Sequence, residues 1–133
     1  MIVDTSAIVA IVRGEPEQMA FLVRLSQARS AGEPARMSAA TLTELTIVID
    51  RFKDARASEL LDALLAELRL EIVPVGQNLA DHARAANRRF GKGFHPARLN
   101  FGDCFAYALA KATDEPLLFK GEDFGRTDLI SAL

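Results

Sequence analysis

Cysteine is almost missing from this chain. Cys104 stands alone, so no internal disulfide can form, which fits a reducing compartment such as the cytoplasm. No group of Cys and His has the spacing of a zinc site. No apolar run approaches the ~20 residues that a membrane-spanning helix needs. The N-terminus has neither a basic n-region nor a small-residue cleavage site, so no signal peptide is expected. Another absence is local: no acid occurs between Asp81 and Asp103. The net charge of −2 gives the whole molecule no general attraction for nucleic acid. The acid-free stretch is different, because it carries Arg84, Arg88, Arg89, Lys92 and Arg98 with His82 and His95. It is either a solvated helix face or a surface for phosphates.

The length of 133 residues suits one domain with a real core, spanning residues 1–133. Ile2-Val3 runs into Asp4 and then into Thr5-Ser6-Ala7-Ile8, which predicts a short buried strand ending at an acid and a helix over 5–13. Glu15-Pro16 opens a second helix, with Met19, Leu22, Val23 and Ala28 as candidates for its buried face. Residues 36–39 form a weak second strand. The next helix starts at Thr41, with Leu42, Leu45, Ile49 and Phe52 on one face and Ile47 and Val48 widening it. A leucine-rich helix over 57–69 follows. Glu71 to Val75 is a third strand, and Pro74 in it argues for a sheet edge or a strand end. Residues 78–90 are a basic helix, and a glycine-rich loop follows over 91–96. Asn100 caps a helix over 101–113, and Leu117-Leu118-Phe119 reads as a central parallel strand. Residues 128–131 can add an edge strand. Strands alternating with helices imply an α/β fold: three α/β/α layers around a short parallel sheet.

Four acids fall at comparable places beside these elements: Asp4, Glu44, Asp103 and Asp123. Each has a local explanation. Thr41-Leu42-Thr43-Glu44 matches a capping box, as does the spacing of Asn100 and Asp103. Asp4 can cap the first helix, and Asp123 can be a turn residue. Gathered at the carboxyl edge of one sheet, they mean something else. Two unit charges ~4 Å apart at an effective dielectric of ~20 repel by about 4 kcal/mol. A divalent cation removes that cost, and an all-oxygen ligand set suits Mg²⁺ or Mn²⁺. Such an ion polarises a phosphoryl oxygen and activates water, which is the chemistry of phosphodiester cleavage. Ser6, beside Asp4, can hold water at the ion.

At this point the residues resemble a known family. The opening IVDTSAIVAI, the helix bearing Glu44, the segment LNFGDCFAYALAKATDEPLLFKGEDF at 99–124 and the length resemble the PIN-domain ribonucleases, more narrowly the VapC-type toxins of bacterial toxin–antitoxin pairs. The resemblance spans nearly the whole chain. It implies a Mg²⁺- or Mn²⁺-dependent endoribonuclease acting on structured RNA such as tRNA or rRNA. It also implies that Asp4 and Asp103 are the principal metal ligands and Glu44 the third acid. The fourth departs from the pattern Thr-x-Asp-x-Asp-Phe, because Phe119 and Gly121 replace the Thr and the first Asp. Asp123 therefore carries over by position, with Glu122 as its alternative.

On this reading Arg84, Arg88, Arg89, Lys92, Arg98 and Lys120 contact RNA phosphates. Phe94 and Phe101 can stack on bases, although the spacing of Phe101 predicts core packing. Cys104 is a buried small residue, and Tyr107 is core with a wet hydroxyl. The resemblance implies a cognate VapB-like antitoxin and a toxin homodimer. The apolar faces of the helices from Thr41 and over 57–69 offer a groove for an antitoxin helix, whose Arg or Lys would reach Asp4 and Asp103. Two other functions fit less of the chain. A catalytically inactive PIN-like binding module accommodates the altered 119–123 stretch. A phosphoacceptor receiver domain shares an acidic pocket and a lysine like Lys120, but the third strand offers no acceptor Asp.

Overall fold

The computed structural model describes residues 1–133. In chain order the elements are β1 (Ile2–Val3), α1 (Thr5–Val12), α2 (Gln18–Ser30), β2 (Arg36–Ser38), α3 (Ala39–Asp50), α4 (Ala55–Leu68), β3 (Glu71–Val73), α5 (Gln77–Phe90), α6 (Phe101–Thr113) and β4 (Leu117–Leu118), followed by a 3₁₀ turn, Phe124–Arg126. The four strands pair in the order β3-β2-β1-β4, all parallel, with Ile2 opposite Arg36 and Leu117, and Met37 opposite Ile72.

Successive strand residues point to opposite faces of a sheet, and here that alternation builds two cores. Val3, Met37 and Leu118 pack under α1 to α4 with Ile8, Phe21, Leu45 and Ile49. Ile2 and Leu117 pack on the other side under α5 and α6 with Leu79, Phe90, Leu99 and Leu109. The result is the three-layer α/β/α arrangement expected from the alternating pattern. No helix is long and apolar enough to cross a membrane.

Several local expectations are corrected. α3 starts at Ala39, not at Thr41. Its cap is Ser38, whose hydroxyl oxygen accepts the Thr41 N–H at 3.0 Å. Glu44 is thus in the second turn and belongs to no capping box. α2 turns Phe21, Leu25 and Ala28 to the core, leaving Met19 64% and Val23 49% exposed. Two stripes of helical period compete there, and the one holding the aromatic ring is buried. β4 is not central but lies at the end of the sheet. It is buried because the C-terminal segment covers it: Leu117 N–H donates to the Ile130 carbonyl, and Ala132 N–H donates to the Leu117 carbonyl, both at 2.9 Å. Residues 128–131 add only a single bridge, at Ser131. β3 is the opposite edge and stops before Pro74, as the missing N–H requires. The glycine-rich loop after α5 is tied by Lys92 N–H to the Leu99 carbonyl at 3.0 Å and Leu99 N–H to the Phe90 carbonyl at 3.0 Å.

Candidate active site

Parallel strands deliver their carboxyl ends to one crevice, and β1 delivers Asp4. The residue has extended backbone and caps α1. Its Oδ2 accepts the Ser6 N–H at 2.9 Å and the Ser6 hydroxyl at 2.6 Å. Ser6 Oγ in turn accepts the Lys120 backbone N–H at 2.9 Å, which ties the end of β1 to the segment after β4. Asp4 is 2% exposed, and its second oxygen, Oδ1, is buried with no hydrogen-bond partner. An orphaned buried carboxylate oxygen is costly, so its direction matters.

Glu44 reaches the crevice from α3. Its Oε2 accepts the Thr5 hydroxyl at 2.7 Å. Its carboxylate lies against the first turn of α6, where a Cβ on Gly102 would overlap it. Asp103 comes from that same turn. A reciprocal box holds it: Asn100 N–H donates to Asp103 Oδ2 at 2.8 Å, and Asp103 N–H donates to Asn100 Oδ1 at 3.0 Å. The capping explanation and the site explanation are therefore both true of Asp103. The box fixes the carboxylate in the crevice.

Asp4, Glu44 and Asp103 form no ion pair, and neither does Asp123. Burial, and then the charges of Asp4, Glu44 and Asp123, push Asp103 up to about 7 against the bond from Asn100. Burial raises Asp4 as well, with Glu44 adding to it and the Ser6 bonds opposing. The acids feel one another's charge, but no three of them gather around one point as a finished ligand set.

The 119–124 stretch has its own logic. Phe119 packs against buried Phe124 with ring centroids 5.2 Å apart, anchoring the turn that carries Asp123. The residue standing where the family pattern has Thr is thus a hydrophobic anchor. Asp123 acts on the charge of Asp103, whereas Glu122 points to solvent and pairs with Arg126 at 2.5 Å.

The basic residues divide. Lys120 is not free beside the acids, because its ammonium is held by Glu15 at 2.6 Å and Glu17 at 2.8 Å. Arg89 pairs with Asp128 at 3.0 Å. Arg84, Arg88, Lys92 and Arg98 make no ion pair. His95 is structural: its Nδ1 accepts the Ala97 N–H, and its ring meets Phe90 edge-on. Phe101 is 80% exposed, contrary to its expected place in the core, because the first turn of α6 turns Gly102 and Cys104 inward instead. Cys104 is buried, and the buried Tyr107 donates its hydroxyl to Asp128 at 2.7 Å. Sequence reading missed Thr5 and Gly102. The only signal for Gly102 is a poor helix former placed inside a helix beside a candidate acid.

Fold and site together define a small α/β/α domain in which Asp4, Glu44 and Asp123 add their charge to that of Asp103 at the carboxyl edge of the sheet, with no Lys or Arg paired to any of the four. The comparisons with known proteins place it further. A family model described as PIN domain matches residues 1–129. A ribonuclease VapC28 of Mycobacterium tuberculosis is 48% identical over 134 residues, covering 100% of this chain and 98% of that protein. Solved structures share the fold at lower identity. Mycobacterium tuberculosis VapC20, a Sarcin-Ricin loop cleaving toxin, has a TM-score of 0.72 at 19% identity over 97% of this chain and 95% of that one. VapBC2 from Rickettsia felis, bound to a DNA fragment from its promoter, has a TM-score of 0.74 at 16% identity over 98% and 94%. The chain belongs to the PIN-domain family, within its VapC ribonuclease branch.

Proposed function

We propose that residues 1–133 act as one PIN unit, a divalent-metal-dependent endoribonuclease that is the toxin of a VapBC-type pair and works in the cytoplasm. One observation carries the reading: the buried, unpartnered Oδ1 of Asp4, set among acids that no cation neutralises. The donors are all hard oxygens, which fits Mg²⁺ or Mn²⁺. Asp4, Glu44 and Asp103 would hold the ion, with Asp123 as the fourth acid, directly or through water. When bound, the ion supplies Lewis-acid polarisation of a phosphoryl oxygen and a lowered pKa for water. The chain's own residues supply position. Ser6 fixes one oxygen of Asp4 and leaves the other free, Thr5 fixes Glu44, and Asn100 fixes Asp103. Arg84, Arg88, Lys92 and Arg98 draw in the phosphate backbone. The names of the full-length relatives support RNA as the substrate, and structured RNA, tRNA or rRNA, is the class we take for this chain.

A cognate VapB-like antitoxin and a second copy of the toxin are the proposed partners. Exposed Ile47 on α3, Phe52 in the turn after it and Leu60 on α4 offer apolar anchors for a helix. An antitoxin Arg or Lys entering the acid cluster would compete with Mg²⁺ for the same oxygens. The test of the enzyme reading is to map RNA ends after brief expression. A discrete set of new ends that requires Asp4 supports it, and unchanged RNA rejects it.

A further inference from the structure

A cleft of about 570 Å³ opens between α5 and α6, within the size range of small-ligand sites. Its floor is apolar, with buried Cys104 and half-buried Phe105. Its rim carries Arg84 and Lys92, neither of them in an ion pair. Arg84 also lines a more open hollow with Arg88, so the positive edge continues along α5. One wall is Phe101, which meets Phe105 edge-to-face at 5.0 Å and shows most of its ring to solvent. The other side of Phe101 lines a second hollow shared with Glu44. A single aromatic side chain therefore stands between the cleft and the acid cluster. Asn87, exposed at the rim, has a side-chain amide able to donate and accept.

An apolar cleft with an aromatic wall, an amide and two free cations is chemically matched to one nucleotide: the base in the cleft, its phosphates on the cations. We infer that the α5–α6 cleft seats a single unpaired nucleobase of the RNA, stacked on Phe101 with Asn87 at its edge, so that the neighbouring phosphodiester lies over the carboxylates. This rests on the ribonuclease reading and adds to it a source of sequence preference. Stacking tolerates every base, and Asn87 discriminates among them.

The test is binding without cleavage. The probe is a short single-stranded RNA carrying one 2-aminopurine, titrated against the full chain in chelator, with an abasic copy as its partner. Seating the base should quench its fluorescence. Phe101→Ala should weaken binding roughly ten-fold or more, and Phe101→Tyr should restore it. The abasic probe should lose a similar factor on the wild type and little more on Phe101→Ala, since both remove the same contact. Arg84→Ala and Lys92→Ala should each lower the salt dependence of log affinity by about 0.7. Phe101 is exposed, so loss of the fold does not confuse the result. The inference is overturned if Phe101→Ala binds both probes like the wild type, including the case in which it changes only the oligomeric state and marks a toxin–toxin contact. Cleavage of total RNA in Mg²⁺ is scored separately. A seat that binds in a wild type that cuts nothing keeps this inference and removes the ribonuclease reading. A wild type that cuts while Phe101→Ala binds unchanged does the reverse.

Discussion

The two ends of the parallel sheet carry charge in opposite ways. At the amino end, the Met1 ammonium is buried against the Pro34 carbonyl at 2.8 Å and Glu115 at 2.5 Å. Arg36 bridges Glu115 and Glu71. Burial pushes Glu115 up, but the ammonium and Arg36 outweigh it and hold the carboxyl below its usual range. At the carboxyl end, Asp4, Glu44, Asp103 and Asp123 make no ion pair, and burial with the charges of the other three pushes Asp103 up to about 7. The same four strands frame both ends, so strand geometry does not explain the contrast. One end satisfies its charges within the chain. The other leaves them unpaired, as the proposed metal-dependent chemistry would require.

The contrast breaks most sharply at the acids. Asp4→Asn or Asp103→Asn should reduce RNA cleavage to background while the metal-free fold melts at the same temperature or higher, because each removes repulsion. If both variants unfold, these acids are caps and nothing more. The amino end should respond in the opposite sense. Glu115→Ala leaves a buried ammonium without its anion and should cost on the order of 2 kcal/mol in urea denaturation, with cleavage by the folded protein unchanged. Equal stability would mean that water replaces Glu115 and that the two ends differ less than their charges imply.

The sequence marks two of the acids by local signals. Asp4 is marked by an apolar pair stopping at an acid, and Asp103 by its spacing from Asn100. Both signals lie within a few residues. The capping box that offers Glu44 a purely local role does not form, because Ser38 starts the helix three residues before Thr41. The Thr5–Glu44 bond spans 39 positions in sequence, and the Gly102 contact spans more. Only assembly of the sheet creates them, so periodicity cannot show them. The same holds for β4, whose apolar run reads as central although the C-terminal segment, not another strand, covers it.

A pH experiment sharpens the comparison at a finer scale. Asp103 has a folded pKa of about 7 against an ordinary 3.8. The folded chain then holds this proton more tightly than the unfolded chain does. The linkage relation makes its contribution favourable below about pH 4 and progressively lost as pH rises toward 7. In chelator, the melting temperature of the wild type should therefore fall relative to Asp103→Asn across that window. Mg²⁺ should reverse the trend by stabilising the ionised form. A difference between the two proteins that is flat from pH 4 to 7 would mean the acids are too far apart or too wet to interact.

The smallest effect on stability, and the most local test, is at Gly102. Glycine inside a helix costs about 1 kcal/mol relative to alanine, so Gly102→Ala should favour α6 by propensity alone. The added Cβ overlaps the Glu44 carboxylate, which is the far end of a flexible side chain and can swing away. The fold should thus lose less than about 1 kcal/mol, or gain slightly. The site should not escape so lightly. Glu44 would leave its bond from the Thr5 hydroxyl and its place beside Asp103, and displacing a supporting carboxylate of this kind typically costs ~10–100-fold in metal affinity or activity. Cleavage rate and Mg²⁺ affinity should fall together while the urea midpoint barely moves. Removal of the Glu44 charge from the cluster should also lower the Asp103 pKa, which the carboxyl carbon shift in NMR reads directly. If activity and that pKa are both unchanged, Glu44 is not part of the charge balance at the carboxyl end, and the cluster reduces to Asp4, Asp103 and Asp123.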